Sequence, residues 1–173
     1  MTRKTVCIER EYGSNGRKIA EWLSKKTGIM LYDRAALTRV AEEHNLVVDG
    51  DLSEDERKHQ MQREAIKFLA DKDSCIFVGT CAAGVLEGRN GNVNVFVKAD
   101  MESKIQWAMC SEKISREEAE KKIADMDEER KRIRGIYSVT ECGDKVDYDL
   151  IVTSSRFGIE GTAELIHSCM TRI

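Results

Sequence analysis

Five short apolar runs recur along this chain, each followed by a turn-forming cluster and then by residues at helical spacing, and that alternation constrains the fold most. The runs are Thr5 to Ile8, Ile29 to Tyr32, Ser74 to Val78, Val93 to Val97 and Leu150 to Val152. Ser74 to Val78 (Ser-Cys-Ile-Phe-Val) is nearly continuously apolar, as a strand buried on both faces of a parallel sheet must be. The helical segments have readable starts. Asp33 and Asp100 are placed to cap helices, and Ser53-x-x-Glu56 and Ser115-x-x-Glu118 are capping-box patterns. Apolar residues at Ile19, Ala20, Trp22 and Leu23, and at Ala36, Leu37, Val40 and Ala41, mark inner faces. Strands alternating with helices predict an α/β layered domain whose mostly parallel sheet has about five strands.

At 173 residues the chain is one domain's worth, residues 1–173, and no repeat or low-complexity linker divides it. Hydrophobic residues at 41% and charged residues at 34% exclude disorder, and no apolar run approaches the roughly 18 residues of a membrane span. A net charge of −3 leaves no global basic field for nucleic acid or anionic lipid, so any anion site is local. The start, Met1-Thr2-Arg3-Lys4, lacks the apolar stretch of a secretion signal, and the expectation is a cytoplasmic protein. The six cysteines form no C-x-x-C pair, so reduced thiols, several of them in the core, are expected rather than zinc or disulfides. His44, His59 and His167 are expected on the surface. No residue set suggests a metal site, and the oligomeric state is open. The chain also has no proline. Its loops must therefore be made by Gly, Ser, Thr, Asn and Asp, with every amide free to donate.

In an open parallel sheet, ligands bind beyond the carboxyl ends of the strands, so chemistry is sought in those loops. After the first strand, Glu11-Tyr-Gly13-Ser14-Asn15-Gly16-Arg17-Lys18 resembles the phosphate-binding pattern G-x-x-x-x-G-K-[ST]. Gly13 and Gly16 permit backbone turned toward a phosphate, the helix start adds partial positive charge, and Arg17 and Lys18 add full charges. Glu11 stands at the first glycine, however, and Lys18 at the hydroxyl that would hold magnesium. The plain reading is a helix-entry loop. Further along, Asp127, Arg130 and Arg134 share one helix face and the block Arg130-Lys131-Arg132-Ile133-Arg134 follows a run of acids. This is a solvated charged face, or an arginine face able to close over a nucleotide's phosphates. At the other strand ends Asp33, Arg34, Thr80 and Arg156-Phe157 serve as turn and cap residues. Alternatively, Asp33 accepts from a sugar or base, Arg34 pairs with a phosphate, and Arg156 and Phe157 flank a base.

The order of these motifs resembles the cytidylate kinase-like family of P-loop nucleoside monophosphate kinases. The resemblance is carried by Ile8-Glu-Arg-Glu-Tyr-Gly-Ser-Asn-Gly-Arg-Lys-Ile-Ala20, Leu31-Tyr-Asp-Arg34, Ile76-Phe-Val-Gly79, Asp127-x-x-Arg130 and Tyr148-Asp-Leu-Ile-Val-Thr-Ser-Ser-Arg-Phe-Gly-Ile-Glu160. It is weakest from Val47 to Gln62. It implies a three-layer P-loop kinase fold with helices on both faces of the sheet and a helical lid at about 112–145. It also implies ATP with Mg2+ on the glycine loop (Gly13, Ser14, Asn15, Gly16, Arg17, Lys18, with Arg156 beside it). Asp33, Arg34 and Thr80 would take a nucleotide substrate, and Arg17, Arg130 and Arg134 would act in transfer to CMP or dCMP. The alternative is a nucleotide- or anion-binding protein of the same fold without turnover. Thr80 stands where the family tends to carry an arginine for the acceptor phosphate, and Cys142 where a tryptophan is common.

Overall fold

The computed structural model describes residues 3–46, 48, 50–137 and 148–173, of which 134–137 as backbone only. Its five strands are β1 (Thr5–Arg10), β2 (Met30–Tyr32), β3 (Cys75–Val78), β4 (Asn92–Lys98) and β5 (Leu150–Thr153). All pair in parallel, in the order β2-β3-β1-β4-β5, so β1 is the central strand. The helices are α1 (Gly16–Thr27), α2 (Arg34–Glu43), α3 (Glu54–Lys72), α4 (Ala82–Val85), α5 (Met101–Glu112), α6 (Arg116–Tyr137) and α7 (Ser154–Met170). β1 runs two residues past the apolar run, through Glu9 and Arg10. The last helix starts earlier than Ile159, with a break at Gly158, where φ is 69°.

Side-chain parity on the central strands sorts the core into two layers. Val6 and Ile8 of β1, Ile76 and Val78 of β3, and Val93, Val95 and Val97 of β4 meet Ile19 and Leu23 of α1 and Ile166 of α7. Their neighbours Cys7, Cys75 and Phe77 point the other way, onto Leu37 of α2, Ile66 of α3 and Ala82 of α4. A third cluster joins α5 and α6 through Ile105, Ala108, Ala119 and Ile123, with Tyr12 inserted from the loop after β1. The sheet is thus covered on both faces, as expected from its apolar strands.

The predicted caps are present. Asp33 and Asp100 accept from the Ala36 and Ser103 amides, each at 2.8 Å. Both capping boxes form, Ser53 with Glu56 and Ser115 with Glu118. Cys7, Cys75 and Cys81 are buried and not in disulfides, whereas Cys110 is exposed. His44 is exposed, but His59 and His167 are half-buried, because each stands beside an apolar stripe of its helix. Among the described residues, no helix is long and apolar enough to cross a membrane.

Candidate functional site

α1 leaves β1 toward one face of the sheet and α4 leaves the adjacent β3 toward the other. The loops after these two strands therefore part, which opens a crevice at their carboxyl ends. A cavity of about 320 Å³ occupies it. The cavity is walled by the ends of β1 and β3, the starts of α1 and α2, and one face of α6.

The glycine loop leads into Arg17, the α1 residue of the cavity lining. Gly13 (φ 77°) and Asn15 (φ 59°) are both left-handed, and Asn15 caps α1 without any side-chain hydrogen bond. The first-turn amides of α1, from Gly16 to Lys18, have no acceptor within the helix, leaving them for an anion. The loop's other side is pinned. The Ser14 hydroxyl donates to the Glu11 carbonyl at 2.8 Å, and the buried Ser154 hydroxyl lies 2.7 Å from the Ser14 carbonyl. Glu11, at the pattern's first glycine, has a structural task. Its amide donates to Val97, and its carboxylate accepts from the Ala99 amide and pairs with Lys104 at 3.3 Å.

Lys104 is buried on α5 and also donates to Asp127 of α6 at 2.8 Å. Burial disfavours its charge, but Asp127 and Glu11 outweigh burial and hold its pKa above the usual lysine range. Asp127 also accepts the Tyr12 amide at 2.6 Å. Arg130, one turn on, donates to the Arg10 carbonyl at 3.2 Å and stacks over the Tyr12 ring at 5.5 Å. The Asp127 and Arg130 face is therefore docked on the glycine loop and is not merely solvated. Burial, and then Arg10, push the Arg130 guanidinium down to about 10, so it stays charged at neutral pH.

Four guanidiniums reach the cavity, from Arg10, Arg17, Arg34 and Arg130. Arg34 donates Nε–H to the Gly79 carbonyl at 2.9 Å. Arg17 pairs with Asp33 at 2.9 Å and with Glu21 at 3.0 Å, and these two bonds raise its pKa. Asp33 is held below the usual carboxylate range, first by the Ala36 amide and then by Arg17. Buried Glu9 accepts the Cys81 amide at 2.8 Å through Oε1.

The sequence-predicted residues divide accordingly. Arg17, Asp33, Arg34 and Arg130 line the cavity, beside the loop of Gly13, Ser14, Asn15 and Gly16. Lys18 and Arg156 are exposed and Phe157 is 55% exposed, outside the cavity lining. Thr80 instead faces a small cleft behind Arg34, with Gln62 and Ile66, and its buried hydroxyl has no partner. The Arg134 side chain, residues 138–147 of the expected lid and Cys142 lie outside the described residues. Sequence reasoning gave no role to Glu9, Arg10 or Lys104. A charged pair closing a buried central strand was the available signal for the first two.

A sequence model of the cytidylate kinase-like family matches residues 5–50 and 45–156. The chain belongs to the cytidylate kinase-like family. The two matched segments overlap at residues 45–50, near the stretch where the motifs are weakest. No curated protein matches the chain. Among solved structures, one described as an uncharacterized protein from Eubacterium ventriosum is similar over 98% of this chain and 99% of its own. That likeness has 23% identity and a TM-score of 0.82. Shikimate kinase from Bacteroides thetaiotaomicron is similar over 97% and 98%, with 10% identity and a TM-score of 0.60. A gluconokinase from Sinorhizobium meliloti is similar over 99% and 98%, with 12% identity and a TM-score of 0.54. At these identities the likeness establishes the fold, which is that of the P-loop kinases.

The donor set fits a polyphosphate, with helix-start amides and arginines around one crevice. It does not fit magnesium equally well. Lys18 takes the position of the hydroxyl ligand, and among the described residues no cluster of three His, Cys, Asp or Glu could hold a metal ion.

Proposed function

We propose that this chain, as a single domain, transfers the γ-phosphoryl group of ATP to a nucleoside monophosphate, with CMP or dCMP as the first acceptors to test. The observation that carries this reading is the convergence of four guanidiniums on one crevice between the glycine loop and α2. Catalysis would consist of positioning and electrostatics. The amides of Gly13 to Gly16, with Arg17 and Lys18, hold the donor phosphates, and Arg156 with Phe157 flanks the donor's base. Asp33 and Arg34 orient the acceptor, and Thr80 borders it. Arg130 and Arg134, on a lid at about 112–145, neutralise charge as the bond from phosphorus to the ADP oxygen breaks and that to the acceptor oxygen forms. For Arg17 to reach the donor, its pairing with Asp33 must open. Magnesium would enter on the nucleotide's own phosphates, and no step is assigned to a protein ligand for it. The protein is proposed to work in the cytoplasm.

The test is ADP release with ATP, magnesium and a panel of nucleoside monophosphates, for the wild type and Arg17→Ala. Turnover with CMP or dCMP that Arg17→Ala abolishes is the expected result, and no release above background with any acceptor rejects the reading. Lys18 at the hydroxyl position and the Arg17–Asp33 pair favour a second reading, a nucleotide binder without turnover. It predicts a thermal shift with ATP or ADP and no product.

A further inference from the structure

The Arg10 side chain runs through a passage that exists because two residues lack side chains. A Cβ added to Gly16 would lie 2.7 Å from Arg10 Cβ and Cγ, and one added to Gly79 would lie 2.1 Å from Arg10 Nη1 and 2.5 Å from Cζ. Gly16 opens α1 and Gly79 begins the loop after β3, so the guanidinium is threaded from β1 across the crevice and comes to rest on the third strand's loop. That is the neighbourhood of Thr80, whose own side chain turns into the cleft behind Arg34.

Among the described residues the Arg10 guanidinium makes no hydrogen bond and no ion pair, although it lines the cavity and the residue is half-buried. Burial lowers its pKa, Glu9 opposes that, and Arg34 and Arg17 add to it. A half-buried cation whose N–H donors find no partner among the described residues is costly in proportion to the water it has lost, unless a partner arrives. Its surroundings indicate what kind of partner. Arg34 and Arg130 spend a donor each on the carbonyls of Gly79 and Arg10 and, among the described residues, have no carboxylate within ion-pair distance. Glu129 is paired with Arg132, and Arg17 with Asp33. Among the described residues three guanidiniums therefore face one carboxylate, Glu9, and two positive charges are left over.

We infer that Arg10 is the anchor for the acceptor's terminal dianion, with Arg34 and Arg130 as its flanking donors. From β1 it supplies the cation that Gly79-Thr80 does not. Only the word acceptor rests on the kinase reading, since the anion site itself is read from the geometry. A doubly charged phosphomonoester matches the surplus, whereas a carboxylate would leave one charge unanswered.

The test uses Arg10→Met and Arg10→Lys with inorganic phosphate as the probe, titrated calorimetrically with and without saturating ADP, and with acetate as the carboxylate control. Wild type is expected to bind phosphate in both conditions and more tightly than acetate. Arg10→Met should weaken phosphate at least about tenfold, the loss of one charge-assisted contact, with Arg10→Lys between them and ADP affinity unchanged. Because the cation has no partner among the described residues, Arg10→Met should melt at or above the wild-type temperature and lose the stabilisation by phosphate. The inference is overturned if Arg10→Met binds phosphate as wild type does, or if ADP abolishes wild-type phosphate binding. It is also overturned if acetate binds as tightly as phosphate, or if Arg10→Met melts lower with phosphate binding intact, which would mark a structural role. None of these readouts needs turnover, so a chain that phosphorylates no acceptor would refute the kinase reading and leave this inference to be judged on binding.

Discussion

The Tyr12 amide donates to the Asp127 carboxylate at 2.6 Å, joining the glycine loop to a helix more than a hundred residues away in sequence. The other oxygen of that carboxylate meets buried Lys104. One side chain on α6 thus satisfies both a loop amide and an α5 cation, and replacing it leaves the Tyr12 amide without that acceptor and Lys104 with only its longer contact to Glu11.

Asp127→Ala is therefore expected to destabilise the protein by about 2–4 kcal/mol, as loss of one partner of a buried, hydrogen-bonded charge pair does. Urea unfolding measures it, and a loss below about 0.5 kcal/mol would show that α6 does not depend on this contact. Exchanging both Lys104 and Asp127 for apolar residues should cost less than Asp127→Ala alone.

Gly79→Ala is expected to damage the wild type far more than it damages Arg10→Ala. In the wild type the new methyl group meets the guanidinium, and the positive φ of 63° adds strain of about 1 kcal/mol. With Arg10 truncated only the strain remains. A double-mutant cycle on unfolding free energies should give a coupling of about 1–3 kcal/mol, and additivity would refute the threaded arrangement.

Asp33 titrates below its ordinary value of 3.8 because the Ala36 amide, and next Arg17, favour its charged form. A carboxyl depressed in the folded state contributes stability that is complete above its unfolded value and lost as pH falls through its folded one. Stability should accordingly fall below about pH 4 through this group. A carboxyl-carbon NMR titration should find the Asp33 midpoint higher in Arg17→Ala, but still under the ordinary value because the Ala36 bond persists. An unchanged midpoint would mean that the ion pair does not form in solution.

Thiol labelling should discriminate sharply. Cys110 is exposed and should react in the folded protein, while buried Cys7 and Cys75 should wait for unfolding. Burial raises both, Cys75 up to about 12, so little thiolate exists at neutral pH. Peptide mapping after brief labelling identifies the sites, and early modification of Cys75 would contradict the packing of β3.

The layers, the five strands and the caps were legible because each depends on local pattern: apolar runs for the strands, Asp or Ser at a helix start for the caps. Boundaries were read less well where charge interrupts the pattern, and β1 continues through Glu9 and Arg10 because ladder hydrogen bonds to β4 hold them in the strand. The site was half legible. Arg17, Asp33, Arg34 and Arg130 sit in recognisable motifs. Glu9, Arg10 and Lys104 matter only through contacts made across the fold, to Cys81, Gly79 and Asp127, and no local spacing encodes those. Thr80 follows the right strand yet faces the other way, because Gly79 and Cys81 are both left-handed and turn the chain between them.

The crevice itself owes little to particular side chains. It exists because the central strand and its neighbour send their helices to opposite faces, so any sequence that adopts this strand order acquires an opening there. The individual part of this protein is the charge deposited in that opening. A change of substrate in such a scaffold would then require rewriting a few arginines and the glycines that admit them, while the sheet beneath stays as it is.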